Sequence, residues 1–428
     1  MATTQEQVSL RRRRRRRWAI GSLTSWNALA HRPMLLLHAP PHPQPAARSV
    51  LVPTAQQTYY ERAGALHVHT TYSDGRGSFE EVARTAERCG LDFLITADHG
   101  TLAPLREGKE GYYGDCLALA GVEISCDEGY VLGFDLPAEF DPARGEAARV
   151  LAAIQAAGGF GFLSLVCDPR FAWRHLPTNG FTGIEIVNMG TMGMRRINPP
   201  NLLRALIRYR LGGTRHAFAL LARRPTPELR AWDRLTQERR VVGIGSTDAH
   251  ARLKVFKGHI PYPSYEDSFS LMRTHVLCLE EATGDARRDA AQIYEALAAG
   301  RCFASFHVHG EARGFRFFAS TKHGEATLGE EVPWEEGLTL HAHANGQEAV
   351  FRLIGDGAPL ATFRGRFLEY PVTRPGVYRV EVYRWGQQAG PFCLCLRPWI
   401  LSNPIYVRPA GATVPTPPHE AHVLQTVP

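Results

Sequence analysis

From Ala65 onward, short apolar runs alternate with stretches whose apolar residues recur at helical spacing. This is the signature of repeated βα units around a largely parallel sheet. The pattern predicts strands at Ala65–Thr70, Phe93–Ala97 and Leu117–Ile124, with Tyr130–Phe134 as an added hairpin strand. Ser78, with Glu81 three residues later, supplies a capping box for the first helix. A helix over Arg144–Ala157 stops at Gly158-Gly159 and feeds a strand at Gly161–Val166, and another strand comes at Gly183–Val187. The helical region Asn201–Arg240 is predicted to break around Gly212-Gly213 and at Pro225, ahead of a strand at Val241–Gly245. A strand at His275–Leu279 and a helix over Arg288–Ala299, stopped by Gly300, complete this part.

After Ser305 the rhythm changes. Apolar runs at Phe315–Ala319, Leu338–Ala344, Val350–Ile354, Gly376–Tyr383 and Ile405–Val407 are punctuated by Gly, Pro and Asn. They predict a small C-terminal β-sandwich of ~95 residues. The chain is thus expected to divide at 1–57, 58–306, 307–408 and 409–428, the last a polar, Pro-rich tail.

The 428 residues are 44% hydrophobic and 21% charged, which suits two or three globular units and excludes wholesale disorder, collagen and coiled coil. No run approaches the ~18 apolar residues of a membrane span, so no membrane partner is expected. The basic balance is local: without the run Arg11–Arg17, the 49 basic residues become 42, equal to the 42 acidic ones. That argues against a nucleic-acid partner for the body of the protein. Cys89, Cys116, Cys126, Cys167, Cys278, Cys302, Cys393 and Cys395 are scattered without a CxxC pair, so neither a zinc knuckle nor a disulfide framework is indicated. A reducing, cytoplasmic location is the expectation.

Residues 1–57, with the arginine run and the Pro- and His-rich His38–Pro45, read as a disordered tail or as an over-extended start ahead of Met34. A signal peptide is the competing reading, with Trp18–Asn27 as its apolar region and Ala28-Leu29-Ala30 as a cleavage site. Ser22, Thr24, Ser25 and Asn27 interrupt that region. An arm for nucleic acid or an anionic surface is a third reading of the arginines.

Candidate chemistry sits where the strands end. Alternation along the first strand places the imidazoles of His67 and His69 on one face, aimed at one ion. Asp74 comes next in a turn, the second strand ends in Ala97-Asp98-His99, the third carries Glu123, and Asp248-Ala249-His250 lies just beyond Val241–Gly245. In βα barrels such positions share one rim, so ligand-type residues some 180 positions apart converge. A lone HxH is weak; the ordered set is not.

His67-Val68-His69-Thr70, Ser73-Asp74-Gly75, Ala97-Asp98-His99, Gly121-Val122-Glu123 and Asp248-Ala249-His250 resemble the successive motifs of the PHP (polymerase and histidinol phosphatase) metallohydrolases, over roughly Ala63 to Ser305. The resemblance implies a distorted (β/α)7 barrel with two or three divalent ions, Zn, Mn or Fe, hydrolysing phosphoesters. It implies that His67, His69 and Asp248 hold one ion, that Asp74, His99 and His250 hold a second, and that Glu123 bridges. Where the family often has His-Pro after its fourth strand, this chain has Cys167-Asp168-Pro169, which puts Asp168 at a third-site ligand's place. Aspartate is a harder ligand than histidine and biases such a site away from zinc. Glu185, Asn188 and His175 are the candidates for that ion's remaining ligand, so two and three ions both stand.

Paired divalent ions lower the pKa of a shared water and stabilise charge on phosphoryl oxygens, so a bridging hydroxide needs no side-chain nucleophile. Asp98 or Asp248 is expected to orient imidazoles or water, and Arg170, Arg252 or Lys254 to clamp a phosphate. His307-Val308-His309 and His341-Ala342-His343 lack companion carboxylate motifs and read as ordinary strand residues, Cys167 as packing. Phe171, Trp173 and Phe181 read equally as pocket wall or core. The expected function is a metal-dependent phosphoesterase acting on a small phosphomonoester or phosphodiester. Hydrolysis of carboxylic or carbamate esters on the same cluster, and a non-catalytic metal-binding interaction protein, are the alternatives. Oligomeric state is not legible in the sequence.

Overall fold

The computed structural model describes residues 58–411, apart from 143, 172, 174, 178, 197, 256–257, 261–262, 323 and 390–391. The expectations for 1–57 and for 412–428 lie outside the described residues. The chain falls into two units, and the larger, 41–384 with 397–428, carries the site and the layers around it.

The fold is mixed α/β. Its first sheet is built from β1 (Tyr60–Val68), β2 (Phe93–His99), β3 (Gly111–Tyr113), β4 (Cys116–Ser125), β5 (Tyr130–Phe134), β6 (Phe160–Ser164), β7 (Gly183–Asn188) and β8 (Val242–Ser246). Strands β1, β2 and β4 run parallel, as do β6, β7 and β8, while β5 joins the two groups through antiparallel pairs with β4 and β6. A small hairpin, β9 (Leu253–Val255) with β10 (Gly258–Ile260), comes next; β11 (Arg273–Cys278) then pairs antiparallel with β1, and β12 (Cys302–Ser305) with β11. The sheet curves far enough that its β8 end meets β1: Thr247 N donates to Leu66 O at 3.2 Å and His69 N to Ala249 O at 2.9 Å. That closure matters most for the site, because it sets His67 and His69 beside Asp248 and His250.

The helices are α1 (Phe79–Arg88), α2 (Ala103–Arg106), α3 (Ala147–Ala156), α4 (Met189–Met194), α5 (Pro199–Phe218), α6 (Thr226–Glu238), α7 (Tyr265–Phe269) and α8 (Ala286–Ala298). In α1 the Ser78 side chain accepts from Glu81 N while Glu81 accepts from Ser78 N, and Phe79, Val82, Ala83 and Ala86 turn inward at helical spacing. Two expectations are corrected. The helix does not break at Gly212-Gly213 but runs on to Phe218, Gly213 absorbing a φ of 71° within it. His307-Val308-His309 forms a 3-10 turn rather than a strand.

Beyond residue 306 the strands are β13 (Phe315–Thr321), β14 (Gly324–Thr327), β15 (Glu331–Pro333), β16 (Thr339–Ala344), β17 (Ala349–Gly355), β18 (Ala358–Gly365), β19 (Phe367–Pro371), β20 (Gly376–Ala389), β21 (Phe392–Ser402) and β22 (Ile405–Arg408). Strands β14, β13, β16 and β19 form an antiparallel sheet of their own. The end of β21, Ile400–Ser402, instead pairs with β12, so strand pairing crosses residue 306 rather than stopping there. One apolar cluster, including Phe315, Phe317, Leu340, Phe351, Val380 and Ile400, spans both groups of strands.

Buried charge ties these layers together. Arg379 on β20 donates to both Asp233 oxygens on α6 (2.7 and 2.9 Å) and to Glu381 (2.9 Å). Glu381 in turn accepts two bonds from Arg224 (2.8 and 2.6 Å) and one from Tyr383 (2.6 Å). On β1, Glu61 faces His275 Nδ1 at 2.8 Å and accepts from Arg316 Nη1 at 2.7 Å. Burial opposes its ionisation, but His275 and Arg316 hold Glu61 down to about 2 against an ordinary 4.5. A depressed folded-state pKa gives stability that is present above the unfolded value and lost as pH falls through the folded one. Glu61→Gln is therefore expected to flatten the acid limb of the stability curve. Urea midpoints should show the wild-type margin, on the order of 3 kcal/mol at neutral pH, shrinking between about pH 5 and 2; parallel curves would refute it.

Candidate metal centre

Strand ends supply every candidate ligand. His67 lies near the end of β1 and His69 just past it, with Asp74 on the next turn; His99 closes β2, Glu123 lies on β4, and Asp248 and His250 lie just past β8. Plain alternation does not aim the first pair. His67 has a φ of 58° and the β1–β2 register slips between Leu66 and Val68. This bulge turns both rings inward, with centroids 5.0 Å apart. Leu165 and Asp248, at the ends of β6 and β8, take similar left-handed angles of 53° and 51°. Such conformations cost on the order of 1–3 kcal/mol each and persist where surrounding structure enforces them.

Here the enforcement is visible. Tyr265 Oη donates to His69 O at 2.9 Å and accepts from Arg76 N and Gly77 N at 3.1 Å, fixing the turn after β1. Asp98 accepts from Thr70 N (2.8 Å), Thr70 Oγ1 (2.7 Å) and Ser73 Oγ (2.5 Å). Gly75 must be glycine, since a Cβ there would lie 2.2 Å from His69 O.

At the centre, His67 Nε2 lies 3.4 Å from Glu123 Oε1 and 3.6 Å from Asp248 Oδ1. His69 Nε2 lies 3.6 Å from Glu123 Oε2 and 3.4 Å from Asp248 Oδ1. His99 Nδ1 is 3.0 Å from Glu123 Oε2, while Asp74 Oδ1 is 3.6 Å from His99 Nε2 and 3.1 Å from His250 Nε2. Among the described residues, two sets have ligand atoms mutually within 4.8 Å: His67, His69 and Glu123, and His69, Asp74, His99 and His250. His67 Nε2 and His69 Nε2 are fully buried with no hydrogen-bond partner.

Burial penalises the charged forms throughout this cluster, yet His67, His99 and His69 pull the Glu123 carboxyl well below the ordinary carboxylate range. Asp248 is likewise driven down, against its burial, by His67, His69 and His250. A hydrogen bond from His250 holds Asp74 at about 2, and His250 rises to about 9 in spite of burial because Asp74 and Asp248 face it. His67 is pushed well above the usual imidazole value by Glu123, Glu185 and Asp248, against burial, whereas burial and the charges of His250 and His67 push His69 down. Carboxylates held ionised beside inward-facing ring nitrogens form a candidate donor set for a divalent cation.

Other sequence candidates fall elsewhere. The Asp168 carboxylate accepts from Arg170 N, Nε and Nη2 (2.8, 3.1 and 3.0 Å) and from Thr191 Oγ1 (2.7 Å), and it joins neither set. The Asp168 carboxylate and the Arg170 fork are thus engaged with one another, and Thr191 holds the same carboxylate. Asp98 braces the turn and reaches His69 only through Ser73, whose Oγ is 3.5 Å from Nδ1. His175 is exposed, and the Lys254 side chain lies outside the described residues. Arg252 Nη1 does approach, 3.6 Å from Asp74 Oδ2, and lines a cleft with Ser73, Asp74, Gly75 and Arg76. Trp173 and Phe181 are buried in the core while Phe171 is exposed. Cys167 packs against the same core.

Glu185, which the sequence offers only as a third-site ligand, instead faces His67 Nδ1 at 2.6 Å and accepts from Ser164 Oγ, Leu165 N and Asn188 Nδ2. A lone glutamate in the apolar strand Gly183–Asn188 is the signal the sequence carries for this role. When a metal ion takes the place of the ring's second proton, Glu185 would hold the remaining proton on Nδ1 and leave the Nε2 lone pair toward the cluster. Glu185→Gln is expected to weaken metal binding about 10- to 100-fold, read by calorimetric titration with Mn²⁺; unchanged affinity would remove Glu185 from this role.

No family model matches the chain. Over 111 residues, 26% of this chain and 37% of that protein, it is 29% identical to the phosphoribosyl 1,2-cyclic phosphate 1,2-diphosphodiesterase of Eggerthella lenta; the match thus spans little over a third of the relative. Among solved structures it is similar to a two-domain protein from Bacteroides vulgatus containing a predicted PHP-like metal-dependent phosphoesterase, at 15% identity, covering 83% of this chain and 99% of that one, TM-score 0.40. An amidohydrolase from Chromobacterium violaceum is similar at 13% identity, covering 44% and 87%, TM-score 0.26. The sequence relative is a phosphodiesterase by name, which accords with the resemblance of the strand-end motifs to the PHP metallohydrolases.

Proposed function

We propose that this chain is a metal-dependent phosphoesterase acting on a small phosphomonoester or phosphodiester, its first sheet a distorted (β/α)7-type barrel and its C-terminal strands a sandwich. The observation that carries this reading is the pair of buried, partnerless nitrogens, His67 Nε2 and His69 Nε2, facing the carboxylates of Glu123 and Asp248. Ring nitrogens and ionised oxygens this close need positive charge between them, which either a proton on the ring or a divalent ion supplies. On this reading His67, His69 and Asp248 hold one divalent ion, Asp74, His99 and His250 another, with His69 and Glu123 facing both.

Bound divalent ions would supply Lewis-acid charge and bring the pKa of water near neutrality. The chain's own groups do the positioning. Glu185 fixes the His67 tautomer, and Asp98 braces the turn carrying Asp74. Arg252 and Arg76 line the cleft beside Asp74, where planar guanidinium groups suit anionic oxygens. These arginines favour a phosphoester over a neutral ester.

The test is hydrolysis of nitrophenyl phosphate monoesters, diesters and carboxylate esters by protein stripped and reloaded with Mn²⁺ or Zn²⁺, beside Asp248→Ala. Metal-dependent phosphoester turnover, absent in Asp248→Ala, is expected. Turnover of carboxylate esters alone would replace phosphoester with carboxylic ester; metal binding without any turnover would leave an interaction protein.

A further inference from the structure

Between Glu185 and Glu228 the chain has no acidic residue and eight arginines, although the body of the protein is neutral once Arg11–Arg17 is set aside. Most of this stretch is α4 and α5. Helices in folded proteins owe most of their stability to packing an apolar face, yet no described residue from Asn201 to Arg210 is buried. Leu203 (59% exposed), Leu206 (56%) and Ile207 (51%) stand at i, i+3 and i+4 on one face of α5. Tyr209 flanks that face at 52%, and Arg204 and Arg210 border it, both exposed.

An apolar stripe of this kind, edged by arginine and carrying no acid, has a definite complement. We infer that the α5 face docks on an anionic lipid bilayer, with Leu203, Leu206 and Ile207 entering the headgroup–acyl boundary and Arg204 and Arg210 meeting lipid phosphates. Charge argues against the other occupants. A second copy would set Arg204 and Arg210 against the same acid-free surface, and the chain's own N-terminal stretch brings Arg11–Arg17, which repels it. Nucleic acid would match the arginines but give leucine and isoleucine nothing to bury against. No helix among the described residues is long and apolar enough to cross a membrane, so the contact is peripheral. This departs from the sequence expectation of no membrane partner, because exposure of the Leu203 face cannot be seen in the spelling.

The segment leading into α5 lies beside the candidate metal centre. Helix α4, shortly before α5, lies against Asp248: a Cβ on Gly190 would come within 2.6 Å of Asp248 Oδ2. The docking does not depend on the proposed hydrolysis.

The experiment is co-sedimentation of the full chain with vesicles of phosphatidylcholine alone or mixed with phosphatidylserine. Wild type is expected to prefer the anionic vesicles. Leu203→Ser/Leu206→Ser/Ile207→Ser and Arg204→Gln/Arg210→Gln should each lower partitioning by on the order of tenfold, with melting temperature and nitrophenyl phosphate turnover unchanged. Binding through Arg11–Arg17 alone would leave the triple-serine variant as tightly bound as wild type, and that result overturns the proposal. Equal binding to neutral vesicles, a dimer that the serine variant dissolves, or oligonucleotide binding lost in that variant while vesicle binding is retained would each overturn it too.

Discussion

Glu123→Gln should abolish metal loading and lower phosphoester turnover by on the order of 10³-fold or more. Its carboxylate touches three of the four clustered imidazoles, at 3.4 Å from His67, 3.6 Å from His69 and 3.0 Å from His99. Glutamine keeps the shape, so packing on β4 is preserved and the change isolates charge. The amide removes a full negative charge from the point where both candidate ligand sets meet, and its NH₂ group competes for the ring nitrogens that face inward. Metal ions supply several kcal/mol of transition-state stabilisation, and each 1.36 kcal/mol is a decade in rate. Elemental analysis and melting temperature separate this from a folding defect. Added Mn²⁺ should raise the melting point of wild type and leave that of the variant where it was. A variant with normal metal content and normal turnover would sink the cluster as the active centre.

Arg379→Ala should cost about 3–5 kcal/mol of stability, the penalty for stranding a buried charge. Arg379 is 2% exposed and Glu381 is fully buried; removing the guanidinium leaves Asp233 without its two-point contact and Glu381 leaning on Arg224 and Tyr383. Burial alone would neutralise Glu381, but Arg379 and Arg224 keep it far below the ordinary carboxylate range. The loss should appear as a shift in urea midpoint, with the metal content of the folded protein unchanged because the network does not touch the cluster. Replacement by Met together with Glu381→Leu should recover only part of the stability, since that pair of changes still leaves Asp233 and Arg224 without their partners. An Arg379→Ala midpoint within experimental error of wild type would mean that the network carries no stability.

The sequence by itself determined the main strands and helices of the first sheet, though not the short β3, α2 and α4, because hydrophobic periodicity is a local property of each segment. It also marked the ligand-type residues at strand ends, since His67, His69, His99, Glu123 and His250 are polar residues that interrupt or terminate apolar runs. Three things needed the tertiary structure. The first was how His67 points: a register slip and a left-handed φ depend on β2 and β8 alongside, and alternation alone gives the wrong cause. The second was what each carboxylate meets. Asp168 is claimed by Arg170 and Thr191, and Glu185 by His67, through contacts between elements whose distance in space bears no relation to spacing in the chain. The third was exposure. The Leu203–Ile207 face of α5 has the periodicity of a core-facing helix, and only the absence of anything packed on it among the described residues shows that it looks outward. Local pattern fixes what a segment becomes; what a side chain meets is set by closure of the sheet, which no single segment encodes.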